Sequence, residues 1–361
     1  MGERTHRVVV IRGDGIGPEL IDATLEVVDA ARSRLGGFRL DYEFHEAGAG
    51  LFQREGTSLR PESFEAIKAA DATLKAPVGL PHVRNPDGTE AGLLGGFRIG
   101  LDVYANVRPV RLLPGVAAPI DAAPGSIDYV IVRENTEGLY LSRGKGVGTR
   151  DAMTDTLMVT RRGTQRVCRR AFEMARLRDG APEDGVRRVT CVDKANVLAS
   201  FAFFRSVFDE VAAEYPDIEA EHLYADAAAQ ALVQRPQHYD VLVMENLLGD
   251  ILSDLGGATV GGIGVCCSGN IGDEHAYFEP IHGSAPDLAG LDRANPISQV
   301  LSAAMMLDHL GESAAASLVR IGVDAALAGG VVMLDPAGQP VAGTADAGRR
   351  IAGSVAEVTV A

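Results

Sequence analysis

The stretch MENLLGDILSD (residues 244–254) decides how this sequence is interpreted. It follows the apolar run YDVLV (239–243), which predicts a buried strand, and its Asn and Gly residues predict the start of a helix. Asp250 and Asp254 are four residues apart, so they share one face of that helix. Two such carboxylates repel each other unless a cation lies between them, and oxygen ligands favour Mg²⁺ or Mn²⁺. Taken alone, Asp250 is more simply interpreted as a helix cap and Asp254 as a solvated side chain.

The composition restricts the class of protein. The chain has 361 residues, of which 46% are hydrophobic and 23% charged, so it can form a large core and two domains. A net charge of −15 argues against a nucleic-acid partner. We find no signal peptide and no apolar run long enough to span a membrane, and we therefore expect a cytoplasmic protein with no membrane partner. The cysteines fit no metal or redox spacing; they are Cys168, Cys191, Cys266 and Cys267.

Short apolar strands alternate with helical patterns, which predicts an α/β fold. The clearest helices are expected at residues 162–178, 198–215, 298–310 and 313–328, and the rest of the chain after residue 264 is expected to be loop. The turn GDGIGPE (13–19) follows the first strand, as a dinucleotide-binding loop would. Its glycines are spaced G-x-G-x-G rather than G-x-G-x-x-G, however, and no acidic residue closes a second strand at the expected distance. We therefore reject a Rossmann interpretation.

Charged side chains follow directly on several of the predicted strands. These residues are Arg133, Lys194, Asp226 and Asp250. Because ligand groups gather at the carboxyl ends of strands in open α/β sheets, we expect the four side chains to face one cleft. Their combination predicts an acidic substrate, a metal ion and acid–base chemistry.

Eight motifs spread over nearly the whole chain carry a family resemblance. They are GDGIGPE (13–19), YANVRP (104–109), VRENTEGLY (132–140), DKANVL (193–198), NLLGDILSDL (246–255), SGNIGDE (268–274), HGSAPD (282–287) and ANP (294–296). Together they resemble the β-decarboxylating dehydrogenases, a family that includes isocitrate, isopropylmalate, homoisocitrate and tartrate/D-malate dehydrogenases. The resemblance implies the isocitrate/isopropylmalate dehydrogenase-like α/β fold in a homodimer. It also implies a large cofactor-binding domain (1–103 and 261–361) and a smaller domain (104–260) with the metal site and the dimer interface.

The same resemblance implies the chemistry. A small 2-hydroxy acid would be oxidised at its 2-hydroxyl with NAD and a divalent metal, and its β-carboxylate would leave as CO₂. Asp250 and Asp254 of one subunit, with Asp226 of the other, would hold Mg²⁺ or Mn²⁺. Lys194 of the other subunit would remove the hydroxyl proton, and Tyr140 would protonate the enol carbon after CO₂ leaves. We therefore predict Tyr140, Lys194 and Asp226 as the catalytic set.

Substrate and cofactor contacts are implied in the same way. Arg98, Arg108 and Arg133 match arginines that bind the substrate carboxylates through bidentate contacts. The implied cofactor residues are Asn196, Glu279, His282, Gly283, Ser284, Ala285, Asp287 and Asn295. Asp287 favours NAD, because a carboxylate accepts hydrogen bonds from both ribose hydroxyls but repels a 2′-phosphate.

The residues just before Arg98 are where relatives recognise the third substituent of the malate. Leu93 and Leu94 resemble the apolar pair of isopropylmalate enzymes, so we predict a 3-substituted malate similar to 3-isopropylmalate. RENTEG (133–138) and NVRPVRL (106–112) are similar to the tartrate/D-malate branch instead, which makes tartrate or D-malate the second prediction. Homoisocitrate and a modified malate of a biosynthetic pathway stay open.

Two further sequence features bear on cofactor binding and on catalysis. The segment LDPAGQP (334–340) departs from the TPDLGG of relatives, which puts the strength of cofactor binding in doubt. The alternative from another class is a non-catalytic regulatory subunit of a dehydrogenase assembly. Such a chain is expected to lose its catalytic residues, whereas this sequence keeps Tyr140, Lys194, Asp226, Asp250 and Asp254.

Overall fold

The structure, a computed structural model, describes residues 4–92 and 95–358. Its strands are Arg4–Ile11 (β1), Phe38–His45 (β2), Ala72–Lys75 (β3), Ala105–Arg111 (β4), Asp128–Glu134 (β5), Val147–Gly148 (β6), Met153–Thr154 (β7), Arg188–Asp193 (β8), Glu219–Tyr224 (β9), Val241–Met244 (β10), Cys267–Ile271 (β11) and Ala276–Pro280 (β12). Its α-helices are Gly17–Leu35 (α1), Ala49–Glu55 (α2), Pro61–Ala69 (α3), Gly95–Gly100 (α4), Arg161–Leu177 (α5), Ala199–Ala212 (α6), Ala225–Gln234 (α7), Asn246–Thr259 (α8), Ile297–His309 (α9), Ser313–Ala328 (α10) and Thr344–Glu357 (α11).

One sheet of ten strands runs through the molecule in the order β2-β1-β3-β12-β11-β4-β5-β10-β8-β9. Strands β5, β10, β8 and β9 are parallel neighbours, so their carboxyl ends meet at one edge. Strand β4 pairs antiparallel with both β5 and β11. The strands from the two ends of the chain thus form one half of the sheet, and those from its middle form the other. The division into two domains near residues 103 and 260 stays a prediction.

The central strands are buried on both faces. Along β10, Val241 and Val243 point into one hydrophobic cluster, whereas Leu242 and Met244 point into the other. Parallel strands with helices on both faces are expected to be continuously apolar for this reason. Burying each of these side chains contributes roughly 1.5–3 kcal/mol. The strand is therefore firmly fixed, and so is the point at which α8 begins.

The predicted α/β fold is confirmed, and the expected helices correspond to α5, α6, α9 and α10 within a few residues. The antiparallel pair β11–β12 and the helix α11 were predicted as loops, which is wrong. Strand β11 contains Ser268, Gly269 and Asn270, which have low strand propensity, and it is stabilised by pairing on both sides. Among the helices of the described ranges, none has the length and hydropathy needed to cross a bilayer.

Candidate active site

The start of α8 places the first carboxylate of the candidate site. The side chain of Glu245 accepts hydrogen bonds from the backbone N–H groups of Leu247 (3.0 Å) and Leu248 (3.3 Å). Glu245 is therefore the N-cap of the helix. The interpretation of Asp250 as a cap is wrong, because Asp250 lies in the second turn and its side chain points to other partners.

Arg133 is the second-last residue of β5, and its side chain passes across α8. Its Nε and Nη2 donate to Asn246 Oδ1 at 2.9 and 2.7 Å, and its Nη1 forms an ion pair with Asp250. A Cβ built on Gly249 would lie only 2.5 Å from Cγ of Arg133. Glycine is thus needed in α8 where the arginine crosses. Arg133 is only 1% exposed, so these partners stand in for most of its contact with water.

Arg108 on β4 reaches the same carboxylates from the other side. Its Nε donates to Asn106 Oδ1 at 2.5 Å, and its Nη1 donates to Ser253 Oγ at 2.6 Å. Its guanidinium lies 3.4 Å from Asp250 and 3.6 Å from Asp254. The two aspartates therefore share one site with two buried arginines, as their spacing on the helix predicted.

The two carboxylates of this site have different environments. Burial raises the pKa of Asp250, but Arg133 and then Arg108 offset this, and the pKa is lower than usual. Burial raises the pKa of Asp254, which Arg108 offsets only in part. Asp254 is also the more exposed of the two side chains. Asp250 is thus held by the protein, whereas Asp254 is open to a further ligand.

Tyr140 contacts this cluster through both its hydroxyl and its ring. It belongs to the short 3₁₀ helix Leu139–Ser142, and its hydroxyl donates to Asp250 Oδ2 at 2.8 Å. The guanidinium carbon of Arg133 is 5.6 Å from the centre of its ring. Partial burial and the bond to Asp250 raise the pKa of Tyr140 to about 12. The hydroxyl is therefore protonated at neutral pH and is able to give a proton.

Arg98, on α4, belongs to a second charged cluster. Its Nε donates to the hydroxyl of Tyr277 at 3.2 Å, and its Nη2 is 3.8 Å from Glu279. Glu279 also pairs with Lys75 and accepts a bond from Asn270 Nδ2 at 3.2 Å. Burial alone would raise the pKa of Glu279, but Lys75 and then Arg98 lower it. The carboxylate is therefore ionised.

Three residues of this second cluster were not predicted as site residues from the sequence: Lys75, Asn270 and Tyr277. Lys75 is buried and ends β3. Charged residues that follow other strands were selected for that reason, so the same rule would have found Lys75. Asn270 lies on β11, which was predicted as a loop; it belongs to the motif SGNIGDE (268–274), to which no role was assigned. Asn106 Nδ2 donates to Asn270 Oδ1 at 2.9 Å, which joins the clusters of Arg108 and Glu279.

Lys194 and Asp226 form a separate pair. Lys194 follows β8, Asp226 lies at the start of α7, and Nζ is 2.7 Å from Oδ1. The bond from Lys194 lowers the pKa of Asp226, which is 72% exposed at its side chain. Within the described ranges, no contact joins this pair to Asp250 or Asp254. Four residues were expected to face one cleft. Within one chain they instead form two separate pairs, Arg133–Asp250 and Lys194–Asp226.

The predicted cofactor loop, residues 282–287, contacts the turn GDGIGPE through Ser284. The carbonyl of Ser284 accepts the N–H of Ile16 at 2.9 Å, and its hydroxyl donates to the carbonyl of Gly79 at 2.5 Å. Gly15 has a φ of +57°, and a Cβ there would lie 2.0 Å from the carbonyl oxygen of Ser284. The glycines of this turn therefore allow close approach of the 282–287 loop.

Asp14 and Asn295 fix this region further. The carboxylate of Asp14 accepts the backbone N–H groups of Ala49, Gly50 and Gly79 at 2.7–2.8 Å. Asn295 Nδ2 donates to the carbonyl of Gly338 at 2.9 Å. The unusual 334–340 segment thus contacts a predicted cofactor residue directly.

The remaining predicted residues are less constrained. Asp287 is exposed in the 3₁₀ turn Pro286–Leu288, after Ala285, which has a positive φ of 37°. Gly283 is exposed, and burial lowers the pKa of neighbouring His282. Asn196 is exposed in the turn between β8 and α6. Leu93 and Leu94 lie outside the described residues.

Comparison with known proteins agrees with this arrangement. The profile described as isocitrate/isopropylmalate dehydrogenase matches residues 7–351. The chain belongs to the isocitrate/isopropylmalate dehydrogenase family. It is 42% identical over 335 residues to a 3-isopropylmalate/3-methylmalate dehydrogenase of Methanocaldococcus jannaschii, with 92% of this chain and 94% of the relative covered.

Two further matches support the same family. The chain is 42% identical over 356 residues to the 3-isopropylmalate dehydrogenase of Corynebacterium efficiens, which covers 97% of this chain and 99% of the relative. The crystal structure of isocitrate dehydrogenase from Methylococcus capsulatus superposes with a TM-score of 0.86 at 35% identity, covering 98% of this chain and all of the other. The predicted family, fold and enzyme class are therefore confirmed, and the chain is a decarboxylating dehydrogenase.

Proposed function

We propose that this enzyme catalyses the NAD- and divalent-metal-dependent oxidative decarboxylation of a 3-alkylmalate similar to 3-isopropylmalate, forming a 2-oxo acid and CO₂. The cluster of Arg108, Arg133, Asp250, Asp254 and Tyr140 carries this proposal. It combines buried guanidinium groups for carboxylates, a carboxylate pair for a cation and a protonated hydroxyl. Relatives named for 3-isopropylmalate and 3-methylmalate support the substrate class.

The aspartates fit a hard divalent cation such as Mg²⁺ or Mn²⁺. Asp250 and Asp254 offer oxygen ligands one helical turn apart, which such ions prefer. Among the described residues, no group of three or more His, Cys, Asp or Glu side chains is placed to hold a metal. We propose that Asp226 of a second subunit supplies the missing ligand. When bound, the cation would stabilise negative charge on the 2-hydroxyl oxygen and the α-carboxylate.

Side chains of the protein would bind the substrate and transfer its protons. Arg108 and Arg133 are fixed by bonds to Asn106, Ser253 and Asn246 and would orient the β-carboxylate together with Arg98. Lys194 of the other subunit would take the proton of the 2-hydroxyl as hydride passes to the cofactor. Tyr140, held by Asp250, would deliver a proton to the carbon that loses CO₂.

Exposed apolar side chains support a homodimer. Strands β6 and β7 form a separate sheet of two strands within the described residues, and Val147 and Met153 on it are 73% and 69% exposed. An isolated two-stranded ribbon is marginally stable in water. Val197 and Leu198 are also exposed beside Lys194, and Ile251 is exposed beside Asp250. We propose that these surfaces meet in a dimer, which brings Lys194 and Asp226 of one subunit to Asp250 of the other.

The cysteines support a reducing compartment. Cys168, Cys191, Cys266 and Cys267 are all buried free thiols. Burial raises the pKa of each thiol, which makes it unreactive. We propose a cytoplasmic location on this basis.

The first experiment measures NAD reduction with Mg²⁺ or Mn²⁺ for 3-isopropylmalate, 3-methylmalate, D-malate, tartrate, isocitrate and homoisocitrate. We expect the highest kcat/KM with a 3-alkylmalate. Higher values with tartrate or D-malate would favour the second candidate, which the RENTEG and NVRPVRL motifs support. Inactivity of folded, metal-loaded protein with every acid would contradict the proposed substrate class.

Shared active sites are tested by mixing two inactive variants. In a mixed dimer of Lys194→Met and Asp250→Asn chains, one site receives Lys194 and Asp250 in wild-type form and the other site receives neither. Random re-pairing is then expected to restore about a quarter of wild-type activity, since half of the dimers carry one intact site of two. If each site were made by one chain, mixing would restore none. Each variant refolded with itself is the control.

The preference for NAD is tested at Asp287. Asp287→Lys is expected to lower kcat/KM with NAD and raise it with NADP, because the ammonium group attracts the 2′-phosphate that the carboxylate repels. Asp287→Asn removes the charge without reversing it and is expected to give an intermediate ratio. An unchanged ratio of the two cofactors in both variants would contradict the placement of the ribose.

A further inference from the structure

The residues before the proposed substituent-binding segment form a small hairpin loop, residues 83–92. The N–H of Ala91 donates to the carbonyl of Val83 at 2.8 Å, and the N–H of Asn85 donates to the carbonyl of Thr89 at 2.8 Å. The loop leads directly to the segment that precedes Arg98. The loop thus precedes, in sequence, the residues that we predict to recognise the third substituent of the substrate.

One side of the loop is fixed to the half of the molecule that it belongs to. Val83 and Ala91 pack with Ala49 in a small hydrophobic cluster. Gly92 has a φ of +74°, and a Cβ there would lie 2.4 Å from Cα of Ala49. The N–H of Ala49 is in turn held by the carboxylate of Asp14. The base of the loop is thus anchored by apolar packing and close backbone contact.

The other side is held by one residue from the middle of the chain. Nη2 of Arg143 donates to the backbone carbonyl of Glu90 at 2.6 Å. Arg143 follows the 3₁₀ helix of Tyr140, and its N–H donates to the carbonyl of Tyr140 at 3.2 Å. Hydrogen bonds from Thr89 lower the pKa of Asp87 at the loop tip, and the charge of Arg143 lowers it further.

We propose that Arg143 is a positioning residue that sets selectivity for the 3-substituent by holding the 83–92 loop against the turn of Tyr140. The inference rests on the proposed function. Without the guanidinium, the loop keeps the apolar packing at its base. It loses the hydrogen bond from Arg143 to the carbonyl of Glu90. The residues proposed to contact the hydroxyl and the carboxylates (Lys194, Arg98, Arg108 and Arg133) lie outside this loop. Loss of Arg143 therefore weakens recognition of the substituent alone.

The kinetic test compares Arg143→Met with Arg143→Lys on D-malate, 3-methylmalate and 3-isopropylmalate. In Arg143→Met we expect KM for 3-isopropylmalate to rise about tenfold, the effect of losing one charged hydrogen bond. The rise should be smaller for 3-methylmalate and absent for D-malate, with kcat changed less than about twofold. Arg143→Lys keeps a donor and should recover part of the loss. Equal changes for all three acids, or none, would overturn the proposal.

A second measurement does not depend on activity. Hydrogen–deuterium exchange in the substrate-free protein should be faster for the amides of residues 83–92 in Arg143→Met and close to wild type in Arg143→Lys. Unchanged exchange in Arg143→Met would overturn the proposal whatever the substrate is. Faster exchange in a protein whose wild-type form oxidises no 3-alkylmalate would instead contradict only the proposed function.

Discussion

The Arg133–Asp250 centre and the Lys194–Asp226 pair are two ion pairs of opposite character. Arg133 is 1% exposed and is held by Asn246 as well as by Asp250. Asp226 is 72% exposed, and its side chain has Lys194 as its partner. Folding of one chain therefore fixes the first pair through several contacts, whereas the second is free to meet another surface. The difference fits the proposed dimer, in which each subunit would build one buried part of a site and lend its exposed pair to the other subunit.

This contrast has an energetic consequence. Removing one partner of a buried ion pair leaves an uncompensated charge in a poorly solvated place, which strongly destabilises the fold. Exposed pairs contribute little to stability, since water solvates both groups when the pair is broken. Mutations in the first pair should therefore affect folding and activity together, and mutations in the second should affect activity alone.

The largest effect on activity is expected from Lys194→Met. Loss of the proposed base should lower kcat about 10²–10⁴-fold, the usual contribution of a general base. The melting temperature should stay near the wild-type value because the pair is exposed. Steady-state kinetics and thermal unfolding on the same preparation check this. An active variant would disprove the proposed role, and a large fall in melting temperature would contradict the contrast with Arg133.

Arg133→Met should affect both properties. We expect the free energy of unfolding to fall by about 3–5 kcal/mol, because Asp250 loses its buried partner and Asn246 Oδ1 loses two donors. Urea unfolding followed by circular dichroism measures this loss. Arg133→Lys is the matched control: it keeps the charge but not the planar fork, and it should recover only part of the stability. A stability equal to wild type would show that the centre is not fixed by this pair.

Local sequence rules predicted which charged residues lie at strand ends, but they did not predict how these residues divide into pairs. Periodicity and motif spacing identified Arg133, Asp250, Lys194 and Asp226, because strand ends and helix faces follow local rules. Whether two strand ends of one chain meet depends on side-chain length and on packing across the sheet. No local pattern contains that information. The family resemblance, which assigns Lys194 and Asp226 to the other subunit, implied this division, and the structure shows two separate ion pairs within one chain.

The same limit explains the missed partners. Glu245 was not recognised as the cap of α8, because Asn246 and Asp250 are equally good capping types in sequence. The pairing of Lys75 with Glu279 joins residues that are 204 positions apart, on strands β3 and β12, which are neighbours only in the folded sheet. Conversely, the shared face of Asp250 and Asp254 was predicted correctly because it depends on helix geometry alone.

Gly249→Ala tests how closely Arg133 packs on α8, and we expect a smaller loss of stability than for Arg133→Met. Alanine is the better helix former by about 1 kcal/mol, so helix propensity alone predicts a more stable protein. A Cβ at this position would lie 2.5 Å from Cγ of Arg133, and relieving that contact should cost about 1–3 kcal/mol. We therefore expect net destabilisation and weaker substrate binding. Gly353→Ala, an α11 glycine whose Cβ would meet nothing within 4 Å, is the control and should stabilise.

The smallest effect concerns the pH dependence of stability. Arg133 and Arg108 hold the pKa of Asp250 below its usual value against the opposing effect of burial. A carboxyl group with a lower pKa in the folded state stabilises the fold above its unfolded pKa, and this contribution is lost as the pH falls through the folded pKa. Asp250→Asn should therefore be less stable than wild type at pH 7. The difference should shrink as the pH falls below about 3.9, the ordinary aspartate pKa.

Urea unfolding of both proteins between pH 7 and pH 3 measures that difference. Asp226→Asn serves as the comparison from the exposed pair. The bond from Lys194 also lowers the pKa of Asp226, so the sign is the same, but solvent screening should make the change much smaller. Equal pH dependence for the two variants would mean that burial does not distinguish the two pairs. A larger dependence for Asp250→Asn would show that the Arg133–Asp250 centre owes part of its folding free energy to the negative charge of Asp250.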